Sequence, residues 1–411
     1  MMFDKGLTTF MVIATSLVML MTPGLAFFYG GLGNKKNILS IMMQSFVSLA
    51  LTTVIWIAFG YSMCFSGTMA GGNDFFGIVG NFDKVFLRGV TAYTPYSADR
   101  NFPEFIFIAY QMMFAIITPA LITGAFINRV TFKAYIIFLV LWQIFVYYPF
   151  VHMVWGGGLL SSWGVLDFAG GIPVHTTAGF AALASVFFVG KRAEKGTAPN
   201  NIPLVAIGTS LLWFGWYGFN AGSELNVDAI TAQSFLNTDV AASFAAVTWL
   251  LIEWNTGKKR PSFIGLMTGS VAGLATITPA AGYVSLSSAI IIGIMAGIVC
   301  FLAVKFVTRR EWDDALDVWG VHGVGGVLGT ILLGLFASKT VNPSGTDGLF
   351  YGGGVTFLLK QLASILFAAS WAFIFTILML RGINKIVPVK VSRMDEKRGL
   401  DLVFHGEIAN Q

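Results

Sequence analysis

The chain has 411 residues, of which 56% are hydrophobic and 11% are charged, whereas about 25% of the residues in a soluble domain are charged. So few charged side chains cannot cover a water-soluble fold of this length, and the composition therefore predicts a protein surrounded by lipid. The net charge of +5 does not indicate nucleic-acid binding, because the basic residues cluster in alternate loops, as described below. Cys64 and Cys300 are too few for a disulfide framework and show no metal-ligand spacing.

Eleven apolar stretches are long enough to cross a bilayer, which requires about 20 residues. In chain order, the predicted membrane helices cover residues 7–32, 38–66, 102–128, 131–151, 168–190, 201–223, 237–256, 262–280, 284–307, 315–337 and 355–384. The first stretch is too long for the apolar region of a signal peptide and lacks a small-x-small cleavage site, so we interpret it as a membrane helix. The sequence predicts an all-α polytopic membrane domain over residues 1–386 and a cytoplasmic regulatory tail over residues 387–411.

The loops between these helices fall into two groups by charge. Most of the 25 lysines and arginines lie in alternate loops and in the tail, while the remaining loops carry few. The basic loops contain Lys35, Lys36, Arg129, Lys133, Lys191, Arg192, Lys195, Lys258, Lys259, Arg260, Lys305, Arg309 and Arg310. Because loops rich in Lys and Arg mark the cytoplasmic side, we predict a plasma (inner) membrane protein with its N-terminus outside and its C-terminus in the cytoplasm.

The first ten helices divide into two groups of five, which have opposite orientations because five is an odd number. Such an inverted repeat is typical of transporters whose functional site lies near the midplane of the membrane, and the eleventh helix is additional. The sequence supports the repeat weakly. In helix five, Asp167 precedes His175 by eight residues, whereas in helix ten Asp317 precedes His322 by five. Both aspartates are expected to cap the N-termini of their helices.

His175 and His322 are two of only four histidines in the chain. At 1.5 Å per residue, they lie about 12 Å and about 10 Å from opposite ends of their helices, in a membrane core about 30 Å thick. A polar ring at that depth needs a partner, and two imidazoles can hydrogen-bond to each other. Such a pair could bind a small polar solute or relay a proton. The structural alternative is two core histidines bonded to helix backbone, and no metal site is predicted.

Aromatic residues accompany the histidines in helix three and, near the outer face, at helices four and six. Phe114 follows a Tyr-Gln-Met-Met segment, Trp155 precedes three glycines, and Phe219 and Ser223 end helix six. Aromatic side chains at this level usually anchor a protein at the interface, but ring faces also attract cations, by about 2 kcal/mol when desolvated. Carrying a charge to the bilayer centre costs on the order of 20 kcal/mol in the idealised limit. Ammonium avoids this cost by releasing a proton, which potassium and sodium cannot do.

The chain resembles the Amt-type ammonium transporters of the Amt/Rh family over nearly its whole length. The motifs that carry the resemblance are residues 23–31, 155–158, 167–171 with His175, 218–223, 317–323 and 399–407. The resemblance implies an outer ammonium recruitment site made of Phe114, Trp155 and Ser223, and a gate made of Phe114 and Phe219. It implies that His175 and His322 are the twin histidines of the pore and that Asp167 is the required acid beneath the outer site.

The resemblance also implies partners. It implies ammonium or ammonia as the substrate, with methylammonium as a further candidate, and a homotrimer with one pore per subunit in the bilayer. It implies control by a PII-type signal protein at the cytoplasmic face, in which the tail takes part. No cofactor, catalytic activity or nucleic-acid partner is predicted.

Three alternatives stay open at this point. The chain could be an ammonium sensor that signals through its tail to a partner, although the tail is short and contains no signalling domain. It could be a cation-coupled carrier that uses Glu253 as its intramembrane carboxylate. An intramembrane enzyme is disfavoured, because no nucleophile or metal motif accompanies the histidines. The sequence does not distinguish electrogenic transport from conduction of neutral ammonia.

Overall fold

The computed structural model describes residues 3–68, 72–193, 198–256 and 259–409, and nearly all regular structure in these ranges is helical. Ten helices in the described residues are long and apolar enough to cross a membrane, and another is apolar but shorter. In chain order they are α1 (Lys5–Leu32), α2 (Lys35–Phe65), α3 (Glu104–Ala125), α4 (Phe132–Ser162), α5 (Gly171–Val189), α6 (Ile202–Glu224), α7 (Ala229–Thr256), α8 (Phe263–Ile277), α9 (Leu286–Arg309), α10 (Trp319–Phe336) and α11 (Val355–Asn384). The prediction of an eleven-helix, all-α membrane protein is confirmed.

Two predicted boundaries are wrong by more than two turns. Helix α4 runs to Ser162 rather than to residue 151, and α7 begins at Ala229 rather than at residue 237. Helix α4 continues past residue 151 to Trp155, and after three glycines a short helical segment, Leu159–Ser162, completes it. Helix α7 begins early because the Asp228 carboxylate accepts hydrogen bonds from two backbone N–H groups of the first turn, which caps a polar helix start.

The inverted repeat brings corresponding helices of the two halves into close contact. Helix α1 crosses α6, and a Cβ atom at Gly208 of α6 would lie only 2.3 Å from the backbone nitrogen of Phe28 in α1. Helix α5 crosses α10, and a Cβ atom at Gly179 would lie 2.1 Å from the Cα atom of Gly323. Without a Cβ atom, glycine allows the two backbones to touch at these crossings, as is common between membrane helices.

The repeat extends to the local structure of α5 and α10. Both helices begin with a π-helical turn, Gly171–Thr176 in α5 and Trp319–Gly323 in α10, and each turn contains one of the two histidines. Turns of this kind occur preferentially at functional sites. The two halves therefore present their histidines from equivalent positions.

Asp314, rather than Asp317, is the counterpart of Asp167. The Asp167 carboxylate accepts hydrogen bonds from the three N–H groups of residues 170–172, and the Asp314 carboxylate accepts from the N–H groups of Val318 and Trp319. The spacing from aspartate to histidine is then eight residues in both halves. The predicted pairing with Asp317 is wrong because that residue has a positive φ of 57°, which turns its side chain away from the helix start.

The ends of the helices form two faces. The N-terminal face contains the start of α1 and the loop over residues 72–103, which are joined where Asp4 N donates to Asn101 O over 2.9 Å. The basic face contains the loops rich in Lys and Arg and the C-terminal tail. Of the basic residues predicted on this face, Lys195 and Lys258 lie outside the described residues.

The tail packs against the basic face. Thr131 N donates to Val389 O over 2.9 Å, and Val391 N donates to Arg129 O over 3.0 Å. After the short helix α12 (Arg393–Arg398), the Asp401 carboxylate accepts hydrogen bonds from the N–H groups of Leu39 and Ser40, at 3.0 and 2.7 Å. The tail is thus joined to the loop after α3 and to the first residues of the long membrane part of α2.

Candidate functional site

The N-terminal face opens into a cavity of about 270 Å³, which we call the vestibule. Its lining includes Gln111, Trp155, Asp167, Ser223, Glu224 and Tyr283. Helices α3, α4 and α6 supply these residues together with the segment that links α4 to α5 and the loop between α8 and α9. The vestibule therefore contains two members of the predicted recruitment site, Trp155 and Ser223, and the predicted acid Asp167.

The third predicted member, Phe114, lies at the floor of the vestibule. Its ring stacks on that of Phe219 with 4.1 Å between centroids and 29° between planes, and it meets the ring of Trp155 edge-on at 6.0 Å. Both phenylalanines are almost fully buried. The structure thus brings together all four aromatic and hydroxyl residues that the sequence analysis assigned to recruitment and gating.

Backbone contacts hold the vestibule side chains in place. The Trp155 Nε1–H group donates to the carbonyl oxygen of Asp167 over 2.9 Å, and the Ser223 hydroxyl donates to Phe219 O over 2.8 Å. The Tyr110 hydroxyl lies 2.9 Å from the same Phe219 oxygen and 3.2 Å from Ser223 Oγ. The hydroxyl of Ser223 keeps its lone pairs near the aromatic rings, where they can accept a hydrogen bond from a cation.

The Asp167 carboxylate is buried beneath the vestibule. Burial raises its pKa to about 6, although the hydrogen bonds from backbone N–H groups oppose this change. Three backbone N–H groups occupy its oxygens. Its direct contacts are therefore with the start of α5, which it positions below Trp155.

The two histidines meet below the phenylalanines. His175 Nδ1 and His322 Nδ1 are 3.3 Å apart, and the rings are nearly parallel, with 16° between planes. The Trp216 ring stacks on the other side of His175 at 5.5 Å. Within the described structure, His175 Nε2 is buried and has no hydrogen-bond partner, so it is free to bind a small solute.

A narrow cavity surrounds the histidine pair. Its volume is about 10 Å³, and its lining includes Val174, Leu212, Phe219 and both histidines. This is roughly the room of one water molecule. His322 also lines a wider cavity of about 180 Å³ that lies towards the basic face and includes Tyr29 and Asp317. The vestibule, the phenylalanine pair, the histidine cavity and this basic-face cavity lie in series along one route.

Other residues named in the sequence analysis lie away from this route. Glu253 is partly buried near the end of α7 and packs against Gly265 of α8, and it is not among the residues that line the three cavities. In the described part of the chain, no group of three or more His, Cys, Asp or Glu side chains could hold a metal ion.

The sequence analysis did not predict the place of four residues in this site. Tyr110 and Trp216 resembled ordinary aromatic residues of a membrane helix, and only the three-dimensional packing brings them to Ser223 and His175. Asp314 could have been found, because it precedes His322 by the same eight residues that separate Asp167 from His175. Glu224 directly follows Ser223 in the sequence, which was the available signal.

Eleven helices in an inverted repeat, with cavities in series through their centre, define the class of polytopic membrane transport proteins. The family model described as Ammonium Transporter Family matches residues 9–410, so the chain belongs to the ammonium transporter family. The resemblance identified from the motifs is thereby confirmed.

Known relatives cover the chain almost completely. The ammonium transporter of Bacillus subtilis (strain 168) is 43% identical, with 99% of each chain covered. The crystal structure of Saccharomyces cerevisiae Mep2 is similar with a TM-score of 0.88 and 34% identity, over 95% of this chain and 88% of that one. A structure described as a sensor Amt protein is similar with a TM-score of 0.87 and 30% identity, over 97% of this chain and 98% of that one.

Proposed function

We propose that this chain carries ammonium or ammonia across the cell membrane and serves nitrogen uptake. The observation that carries the proposal is the buried contact of 3.3 Å between the two histidines, in the middle of a series of cavities. The centre of this route has room for a molecule the size of ammonia. Apart from the imidazoles, it is lined mainly by apolar side chains, which disfavour any ion that cannot lose its charge.

The first step is recruitment in the vestibule. An ammonium ion has four N–H donors, one of which can point to Ser223 Oγ while others face the rings of Phe114 and Trp155. Cation–π attraction is worth about 2 kcal/mol in a desolvated site, which is weak enough to permit release. The stacked rings of Phe114 and Phe219 then have to separate, because they occupy the only described route between the vestibule and the histidine cavity.

The second step is passage at the histidine pair. A contact between two Nδ1 atoms requires that one carries a hydrogen and the other accepts it. The Nε2 atoms of the two rings then differ, since one carries a hydrogen and the other does not. A neutral pair of this kind can exchange hydrogen bonds with ammonia, and a shift of the shared proton reverses the two roles. This exchange provides a path for the proton that ammonium releases, and reprotonation follows in the basic-face cavity.

The orientation and partners form part of the same proposal. The basic face lies in the cytoplasm, since Lys and Arg residues mark that side, so the vestibule faces outwards. Residues 387–411 act as a regulatory tail, supported by the contacts of Val389 and Val391 with the loop after α3. A homotrimer and a PII-type protein bound to the basic face are the partners expected from the family.

A sensor is the second candidate function. Its support is the likeness to a structure described as a sensor Amt protein, together with tail contacts that reach both α2 and the loop after α3. If the chain is a sensor, occupation of the pore changes the tail contacts, and the changed tail contacts alter the binding of a partner.

The test is a measurement of current and internal pH after an ammonium pulse, with purified protein in a supported membrane and in vesicles. The native chain is compared with the double variant His175→Ala, His322→Ala. We expect an ammonium-dependent current in the native chain that the double variant loses. A native pH change without current would indicate neutral ammonia conduction. No native response of either kind would reject transport and favour the sensor.

A further inference from the structure

We propose that Glu224 is a further substrate-attracting residue in the vestibule and that Arg100 partly neutralises it, so that this pair sets the ammonium affinity of the outer site. The inference rests on the proposed function and adds a residue to it. Neither residue belongs to the aromatic and hydroxyl set identified from the sequence.

The local fold directs Glu224 into the vestibule. It ends the 3₁₀ turn Gly222–Glu224 that closes α6, and Leu225 follows in the left-handed conformation with a φ of 54°. This reversal ends the helix at Glu224, the residue after Ser223. As a result, the Glu224 side chain lines the same cavity as Ser223, Trp155 and Asp167, and only 8% of the residue is exposed.

Glu224 differs from the other carboxylate of the vestibule in what its oxygens contact. The Asp167 oxygens are occupied by three backbone N–H groups. The nearest cation to Glu224 is Arg100, whose Nη2 atom lies 3.9 Å from Oε1. That distance is too long for a hydrogen bond. Glu224 therefore combines a nearly buried carboxyl group, which is negatively charged when it is deprotonated, with oxygens that an incoming cation can contact.

Arg100 is well placed to weaken this charge without removing it. Its side chain is 39% exposed, against 10% for that of Glu224, so the guanidinium is better screened by solvent than the carboxylate. A cation entering the vestibule thus meets a net attraction, because clefts with low-dielectric walls focus the field of a charge. Replacing Glu224 should therefore weaken ammonium binding, and replacing Arg100 should strengthen it.

Opposite shifts in ammonium affinity would distinguish an attraction of substrate by Glu224 from a purely structural role of the pair. If the pair only stabilised the fold, Glu224→Gln and Arg100→Gln would impair transport in the same way, because each breaks the same contact. If Glu224 attracts substrate, Glu224→Gln weakens ammonium binding while Arg100→Gln strengthens it. In both cases the maximal current stays unchanged, since neither residue touches the phenylalanines or the histidines.

The experiment measures current against ammonium concentration in supported membranes at fixed pH and ionic strength. The variants are Glu224→Gln, Arg100→Gln and the double variant. The matched control is Asp83→Asn, which removes an exposed carboxylate on the same face that does not line the vestibule. We expect Glu224→Gln to raise the half-saturating concentration about fivefold, the size of a partly screened charge interaction. We expect Arg100→Gln to lower it, the double variant to match Glu224→Gln, and the control to match the native chain.

The outcomes distinguish the inference from the function on which it rests. If the native chain gives a current but Glu224→Gln has an unchanged half-saturating concentration, the inference alone is overturned. The same holds if Arg100→Gln raises the half-saturating concentration, or if both variants lose maximal current equally. A native chain without any ammonium-dependent current overturns the proposed function and the inference with it.

Discussion

His152 joins three segments at the N-terminal face through one buried ring. Its Nδ1 atom lies 2.9 Å from Cys64 O, and its Nε2 atom lies 3.0 Å from the Asp74 carboxylate. The same carboxylate accepts a hydrogen bond from Gly77 N. The ring lies between a carbonyl oxygen and a carboxylate, and it holds the loop against α4 one turn before Trp155.

The substitution His152→Ala is therefore expected to loosen this loop. It leaves a buried carbonyl and a carboxylate without their hydrogen-bond partner, which costs about 2 kcal/mol. Hydrogen exchange should accelerate at the amides of Gly77 and Gly80. The control His405→Ala changes a histidine on the opposite face and should leave these amides protected. Unchanged exchange in His152→Ala would show that the loop is held by other contacts.

Tyr110 contacts the predicted recruitment site with its ring, which meets that of Phe114 edge-on at 5.1 Å, and with its hydroxyl. That group contacts Gly218 O, Phe219 O and Ser223 Oγ. The substitution Tyr110→Phe keeps the ring and removes these contacts, so the end of α6 and Ser223 become less fixed. We expect a loss of about 1 kcal/mol in stability and a half-saturating ammonium concentration a few times higher, by about 1 kcal/mol of binding. Thermal unfolding and current measurements test this, and native values in both would contradict it.

At the scale of helices, the matched starts of α5 and α10 explain how both histidines reach one point. In each half an aspartate caps the π-helical turn that follows it, and the histidine comes eight residues after that aspartate. Burial raises the pKa of both Asp167 and Asp314 to about 6, against the opposing effect of backbone hydrogen bonds. The two helix starts thus share their electrostatics as well as their geometry.

These raised pKa values predict a pH dependence of stability. The folded protein binds the two protons more tightly than the unfolded chain, whose carboxyl pKa is 3.8. The resulting stabilisation is complete below about pH 3.8 and is lost as the pH rises through about 6. The variant Asp314→Asn cannot titrate, so its melting temperature should fall less than that of the native chain across this range. Asp83→Asn, at an exposed position, is the control, and a profile of Asp314→Asn parallel to the native one would contradict the prediction.

At the scale of the molecule, long apolar runs and alternating basic loops were sufficient to predict eleven helices and their repeat. The histidine pair was also predictable, because two imidazoles at similar depth in opposed helices have few other partners. The start of α7 was not predictable from hydrophobicity, since its first turns are polar and depend on the cap by Asp228. The role of Asp314 depends on the backbone direction at Asp317, and the stacking of Trp216 on His175 depends on helix packing. Neither feature can be recognised from the local amino-acid composition.

The attachment of the tail to the helical body can also be tested. The Asp401 carboxylate caps the N-terminal part of α2 through Leu39 N and Ser40 N, and Asp401→Ala removes both hydrogen bonds. We expect trypsin to cleave faster after Arg393, Lys397 and Arg398, while cleavage after Lys259 provides an internal reference. The variant Glu407→Ala, at an exposed position, should cleave at the native rate. Equal rates in all three proteins would mean that Asp401 does not hold the tail.

The backbone contact between Gly179 and Gly323 has a consequence for how the route opens. Since α5 and α10 already touch without intervening side chains, they cannot move closer together, and separating them would break a tightly packed crossing beside His322. The histidines therefore keep a constant spacing. In the proposed function, the parts left to move are the rings of Phe114 and Phe219, and side-chain rotations are faster than helix shifts, which take microseconds to milliseconds. The proposed gate then times the passage of each molecule by the turning of two aromatic rings above a rigid centre.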